Sequence, residues 1–436
     1  LDNMGEKITV FGMWHLGCIT AAGLAELGYK VIGTDFDRKV VEELSRGRPP
    51  IFEPGLEELL KKHIEKKNLK FEFDKGVALK DADFIFVTFD TKVDEHDRVD
   101  LGDIYRAASE VANHIKSGSI VAVSSQVPVG TCSELEESIS KKTESKFGIC
   151  YLPENLRLGE AINSFLKPDR IVIGTNNIGT LKKVKKLLRP LRCEKITMSI
   201  ESAEMTKHAL NAYMATCISF INEISDICEL SGASALDVVK ALKTDRRVSP
   251  HAPISPGLGF SGGTLARDIQ ILRSYGDTKG YDSKLLDAIM EVNEKRKHLV
   301  FNKLKNLFKD IKSIQVGILG LTYKPGTDTL RRSLSLEIAK ELISQGVTVR
   351  AYDPKVDTQI SELPKLKVCK RIEEAAKGSD VLVLITEWPE FKNLPLQKIK
   401  TLMKKPIFID TKNFLDPAKF KKLNFKYVGV GWGHET

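Results

Sequence analysis

The sequence predicts two doubly wound α/β domains separated by an all-α region. Three observations carry this expectation. Short apolar runs alternate with helical segments through the first part of the chain, long helical segments replace that alternation from about residue 199, and the alternation returns from about residue 309. The expected boundaries are 1–198, 199–308 and 309–436.

In the first domain ITVFG reads as a buried strand, followed by a glycine-containing turn, a helix over Cys18 to Leu27 and a second strand, KVIGTD, that ends in an acid. Further strands are expected at ADFIFVTF, SGSIVAVSS, FGICYLP and DRIVIG, which together make a parallel sheet. In the middle region Ile200 to Ser231 carries apolar residues at helical spacing with no glycine or proline, and predicts one long helix. The segment SPHAPISPGLGFSGG interrupts the helical pattern, which resumes as an expected single helix over Lys284 to Phe308. The last domain draws its strands from SIQVGILGLTY, TVRAYDP, DVLVLIT and KPIFIDT.

Composition narrows the class of protein. The chain has 436 residues, of which 42% are hydrophobic and 29% charged, and no apolar run reaches membrane-spanning length. LDNMGEK shows no secretory pattern, and the residues ahead of Met4 read as extraneous. Seven cysteines are scattered singly, without the paired spacing of a zinc site or a redox dithiol, so no metal is expected and a reducing cytoplasmic setting fits. The net charge of +9 comes from lysines dispersed along amphipathic segments with no nucleic-acid-binding motif. The expectation is therefore neither a nucleic-acid nor a membrane partner.

The turn GMWHLG, Gly12 to Gly17, follows the first strand, and Asp35 ends the second about twenty residues later. That is a partial dinucleotide fingerprint, in which glycines permit a tight turn and close approach to pyrophosphate and the acid takes the ribose hydroxyls. Trp14 occupies the place of the middle glycine, so the backbone can approach phosphate only if the indole points away. The placement predicts a Rossmann-like NAD domain, and Asp35 argues against NADP, whose ribose phosphate it would repel.

In EMTKHALNAYM, Lys207 and Asn211 are four residues apart and share a helix face. They are either a proton acceptor or oxyanion stabiliser with its amide neighbour, or a surface lysine above a packing asparagine. The glycine-rich loop is either a backbone cradle for a ligand or a mobile connector. Asp268 follows Thr264 by four residues, on the same face if a helix starts after Gly263. Glu154 and Arg157, in YLPENLRLGEAI, fall at the carboxyl edge of the sheet, where Glu154 is either a catalytic group or a helix N-terminal charge.

The order of PIFEPGLEELL, VPVGT, PENLRLGEAI with PDRIVIG, SAEMTKHALNAYMATCISFINEI, PGLGFSGG with Arg267-Asp268, LGLTYKPGTDTLRRS and AYDP resembles the UDP-glucose/GDP-mannose dehydrogenase family over essentially the whole chain. The resemblance implies an N-terminal NAD domain, a helical dimerisation core and a C-terminal nucleotide-sugar domain. It also implies oxidation of a sugar C6 hydroxyl to a carboxylate with two NAD per sugar, in the service of polysaccharide biosynthesis. By position, Lys207 and Asn211 are similar to the residues that handle the alkoxide, Asp268 to the loop aspartate, and Glu154 to the first carboxylate of the Pro-Glu segment. Gly12, Gly17, Asp35, Lys39, Thr91 and Arg331 fall at cofactor positions. Arg157, Gly257, Gly259 and Lys324 fall at substrate positions, and Arg247 resembles an arginine lent across a homodimer.

Thr264 stands where the family has its catalytic cysteine. A hydroxyl is a far poorer nucleophile than a thiolate, and its β-branch crowds it. Gln126 stands where the family often has a threonine, and Leu158 where many members have a second glutamate, which some acetamido-sugar branches also lack. The expected activity is removal of one hydride pair from a hydroxyl of a nucleotide sugar to give an aldehyde or a ketone, without the thioester step. The alternatives are full oxidation to the uronic acid through bound water, and a non-catalytic nucleotide-sugar-binding protein.

Overall fold

The structure is a computed structural model that describes residues 5–93, 99–154, 156–261 and 263–433. The residues ahead of Gly5, together with Asn155 of PENLRLG and Gly262 of the glycine loop, lie outside the described residues. The chain divides into two compact units, one ending at Leu210 and the other beginning at Asn211.

The first unit is built on an eight-stranded sheet. Its strands are β1 (Lys7–Phe11), β2 (Lys30–Thr34), β3 (Leu69–Phe71), β4 (Phe84–Val87), β5 (Ile120–Val123), β6 (Gly148–Tyr151), β7 (Arg170–Gly174) and β8 (Glu194–Met198). They lie in the order β8-β7-β6-β5-β4-β1-β2-β3. The four residues of β4 and of β5 are all buried, as strands covered on both faces must be. One pairing departs from the expected parallel sheet: β6 and β7 run antiparallel through Tyr151 and Gly174. Among the described residues their connection contains the six-residue helix Ala161–Leu166. Strand order reverses between β1 and β4, so the segments that follow these two strands diverge and open a crevice at the carboxyl edge.

Two helices of this unit matter for the site. Helix α1 (His15–Glu26) starts directly after the glycine turn, and α2 (Thr131–Ser140) starts after VPVG. The long helix α3 (Ile200–Ser231) has the bounds its uninterrupted helical spacing predicts, and its first three turns belong to the first unit.

The second unit adds α4 (Ala235–Thr244), α5 (Leu265–Thr278), α6 (Lys284–Lys297) and α7 (Leu299–Leu307). The single helix expected over Lys284 to Phe308 is thus two, divided at His298. There the N–H turns back to Lys295 O at 3.2 Å, three residues away, and ψ moves to 2°, out of the helical region. A six-stranded sheet follows: β9 (Gln315–Leu319), β10 (Thr348–Tyr352), β11 (Lys367–Cys369), β12 (Val381–Leu384), β13 (Ile407–Asp410) and β14 (Lys426–Val428). Its order, β11-β10-β9-β12-β13-β14, is parallel throughout and repeats the doubly wound plan. Among the described residues, no helix is long and apolar enough to cross a membrane.

Candidate active site

The glycine turn is held by backbone geometry that no side chain could share. Gly12 donates to Thr34 O at 2.9 Å and has φ +106°, and a Cβ there would lie 2.7 Å from Phe89 N. A Cβ on Gly17 would lie 1.8 Å from Gly12 O, so α1 rests on the turn itself. Trp14, at the place of the middle glycine, is the N-cap residue of α1 and is 44% exposed, so the indole lies at the surface rather than in the core. Asp35 accepts from Met13 N at 2.5 Å through one oxygen and from Asp37 N at 2.9 Å through the other, which braces the acid beside the turn. Each carboxylate oxygen retains a lone pair for a ribose hydroxyl.

Thr91 is buried, and Lys39 is exposed with its N–H on Asp37 Oδ1 at 2.8 Å. A cavity of about 670 Å³ lies nearby, lined in part by Phe36, Arg38, Phe73, Lys75 and Arg106. Lys75 Nζ donates to Asp35 O at 2.6 Å, and burial holds its ammonium below the usual lysine range. The Arg106 guanidinium lies 3.7 Å from the centre of the Phe36 ring. A turn with no room for Cβ atoms, a helix N-terminus and an acid at the end of β2 fit a dinucleotide. Gly12, Gly17 and Asp35 would hold it.

Lys207 is 6% exposed. Its Nζ donates to Glu154 O at 2.8 Å and pairs with Glu154 Oε1 at 3.0 Å, while Glu154 Oε2 accepts from Leu156 N at 2.7 Å. The lysine is therefore not a surface residue, and Glu154 is not a helix-terminal charge. The neighbouring turns of α3 secure the VPVGT loop: Glu204 accepts from Gly130 N at 2.6 Å and Cys132 N at 2.9 Å, and His208 Nε2 lies 2.8 Å from Val127 O. Glu204 has no exposed surface, and its carboxylate sits at the N-terminus of α2, where the helix dipole favours a negative charge. Gln126, on the same loop, is buried. Arg157 is exposed and reaches Asp169 at 3.2 Å, and Leu158 is half-buried.

Within the second unit, Asn211 donates its side-chain amide to Asp268, which has no exposed surface. The expected helix does begin after Gly263, with Thr264 as its N-cap residue, and Asp268 N bonds Thr264 O at 3.2 Å. Thr264 is half-buried and its side chain caps no backbone N–H. The glycine loop is pinned rather than a free connector. Asn222 accepts from Gly257 N at 3.1 Å, and Asn293 brackets Phe260 by accepting from its N–H at 2.8 Å and donating to its carbonyl at 3.0 Å. A Cβ on Gly257 would meet Thr411 O at 2.8 Å, and one on Gly259 would meet Asn293 Oδ1 at 2.2 Å.

Lys324 is half-buried and Arg331 exposed. The Arg247 side chain is 89% exposed and grips its neighbour Asp245, at 3.0 and 2.8 Å. All seven cysteines are unpaired. Burial pushes the Cys150 thiol up to about 12 and those of Cys18 and Cys132 well above their ordinary value, which suits inert core positions rather than nucleophiles.

Sequence reasoning missed the residues that hold these groups in place: Glu53, Glu204, His208, Asn222 and Asn293. Glu53 and Glu204 lie in segments that mark the resemblance, but nothing in their local spacing reveals partners 106 and 74 residues away.

A doubly wound sheet with this turn, and a buried lysine locked to a carboxylate at its carboxyl edge, define an NAD-dependent dehydrogenase. Comparison with known proteins makes the assignment more specific. Three domain models of the UDP-glucose/GDP-mannose dehydrogenase family match the chain: the NAD binding domain over residues 6–192, the central domain over 201–295 and the UDP binding domain over 317–417. The chain is 34% identical to the UDP-glucose 6-dehydrogenase of Pseudomonas aeruginosa, over 98% of its own length and 97% of that protein's. A UDP-glucose dehydrogenase structure from the archaeon Pyrobaculum islandicum superposes with a TM-score of 0.91 at 28% identity, covering 99% of each chain. The UDP-D-ManNAc dehydrogenase of Pyrococcus horikoshii gives 0.85 at 26% identity, over 98% of this chain and 99% of that one. The chain belongs to the UDP-glucose/GDP-mannose dehydrogenase family and is an NAD-dependent nucleotide-sugar dehydrogenase.

Proposed function

We propose that the chain oxidises a hydroxyl of a UDP-linked sugar by one hydride pair and stops at the carbonyl. The observation that carries this is Thr264, a half-buried N-cap residue at the position of the family's nucleophilic cysteine. Bound NAD supplies the hydride acceptor. Two of the three ammonium protons of Lys207 are committed to Glu154, which leaves the third for a developing alkoxide. The Asn211 amide keeps one further N–H for the same purpose, because Asp268 takes the other. These groups serve the first oxidation. A second oxidation through a thioester needs a thiolate, and Thr264 cannot supply one.

One observation favours a second reading. Among the described residues the Thr264 side chain caps no backbone N–H, and its hydroxyl would hydrogen-bond a hydrated aldehyde, whose oxidation to the acid needs no covalent intermediate. The two readings differ in product. Limiting UDP-glucose, UDP-N-acetyl sugars and GDP-mannose, each with excess NAD, would be analysed by mass spectrometry with an aldehyde-trapping amine present. A trapped carbonyl supports the one-step reading, and a free uronic acid overturns it. Leu158 favours an acetamido sugar among these.

A homodimer through α3 completes the proposal. Tyr213, Phe220 and Ile227 are 59%, 48% and 54% exposed at successive intervals of seven residues, an apolar stripe along the helix. Arg247, which is 89% exposed, suits a residue lent to a second copy. Seven unpaired cysteines fit a cytoplasmic setting.

A further inference from the structure

Glu53, in the segment PIFEPGL, is 3% exposed and accepts hydrogen bonds from three separate places within the first unit. His15 Nε2 lies 2.9 Å from Oε2, Gly159 N donates to Oε2 at 2.9 Å, and Ala161 N donates to Oε1 at 2.8 Å. Both oxygens already accept a backbone N–H, so the ring nitrogen of His15 is the donor in its pair.

The two backbone donors have a local explanation. The short helix Ala161–Leu166 follows Glu160, whose side chain makes no cap bond, and Glu53 caps that helix from a distance. The third donor does not. Capping one helix requires no bond from the dinucleotide turn, yet His15 is the first residue of α1, where a pyrophosphate meets the helix N-terminus. Gly159 also stands five residues beyond Glu154, whose carboxylate and carbonyl both hold Lys207. A continuous series of bonds therefore leads from the turn through His15 and Glu53 to the loop that positions the lysine.

We propose that Glu53 is a positioning residue that ties the dinucleotide turn to the loop carrying Glu154, with His15 as the link, so that NAD in the turn steadies that loop. The proposal rests on NAD occupying this turn. It also gives His15 a role beside Trp14: where the middle glycine is absent, the turn is braced from the side by a ring held on a buried carboxylate.

The test measures hydrogen exchange in the peptide spanning residues 156–162, with and without saturating NAD, alongside the NAD dissociation constant by calorimetry. In the unmodified protein NAD should slow exchange of this peptide by roughly tenfold. His15→Phe cuts the link but leaves both backbone bonds to Glu53, so exchange without NAD should be unchanged while the NAD-dependent slowing disappears. NAD affinity should fall by roughly tenfold, the scale of one charge-assisted hydrogen bond. His15→Gln, which restores an N–H donor, should recover part of both effects. Glu53→Gln has one acceptor oxygen for three donors, so its loop should exchange quickly with or without NAD. Equal slowing by saturating NAD in His15→Phe would overturn the proposal, as would NAD binding to the unmodified protein without slowing. A protein that binds no NAD would overturn the cofactor reading and the proposal together.

Discussion

Lys207 Nζ lies 2.8 Å from the carbonyl oxygen of Glu154 and 3.0 Å from its carboxylate, so one residue supplies two of the three acceptors an ammonium can satisfy. In the proposed reaction the remaining proton is the one that meets the alkoxide. Lys207→Ala should lower kcat by roughly 10²–10³-fold, the scale seen when one oxyanion donor is removed, and leave the NAD dissociation constant within about twofold. Steady-state kinetics with calorimetry would check both; a fall in NAD affinity matching the fall in kcat would place the lysine in cofactor binding instead.

The glycine loop owes its shape to two asparagines. Asn293→Ala removes both hydrogen bonds to Phe260 and leaves a buried N–H and C=O unpaired, at a cost of about 1–3 kcal/mol in stability. Denaturant unfolding would measure it. Gly259→Ala should have an effect in the same direction, since its Cβ would fall 2.2 Å from Asn293 Oδ1.

At the dinucleotide turn, Gly17→Ala should abolish NAD binding, because the new Cβ would sit 1.8 Å from Gly12 O. Trp14→Gly should cost little stability, because the indole is 44% exposed, and should strengthen NAD binding several-fold by letting the backbone approach the phosphates. Calorimetric titration of NAD into each variant separates the two effects.

Burial pushes the Glu204 carboxyl above its ordinary value of 4.5, against the pull of the Gly130 and Cys132 N–H groups. The folded state then holds this proton at a pH where the unfolded state has released it. The contribution to stability is therefore largest at low pH and declines as pH rises from 4.5 through the raised folded value. Glu204→Gln removes the titration, so the Tm of the unmodified protein minus that of the variant should fall as pH is raised from about 4.5 toward neutrality. A difference that stays constant, or grows with pH, would contradict the assignment.

Phe220→Glu places a charge in the middle of the exposed stripe on α3. Light scattering after size exclusion should show a dimer for the unmodified protein and a monomer for the variant. A monomer in both cases would contradict the dimer.

How far the sequence discloses this molecule differs from element to element. Helix α3 was legible because it runs from Ile200 to Ser231 without a glycine or proline. The break at His298 was not, because a single residue leaves the helical region with no breaker beside it. The strands β1, β2, β4 and β5 announce themselves as apolar runs, but the antiparallel β6–β7 pair could not be foreseen, since an apolar run does not encode its direction. The three-residue strands β3, β11 and β14 are too short to show a period. Among the candidate residues, motifs mark Lys207, Asp268 and Asp35, because their spacing is local. Asn222 and Asn293 hold loop residues 35 and 33 positions away, and only the fold brings such partners together.

Thr264 is proposed to end the reaction after one oxidation. Counting NADH formed per sugar consumed, with each nucleotide sugar limiting and NAD in excess, tests it most directly. The unmodified protein should form one NADH per sugar, and Thr264→Cys should raise the count toward two. Two NADH per sugar from the unmodified protein would contradict it.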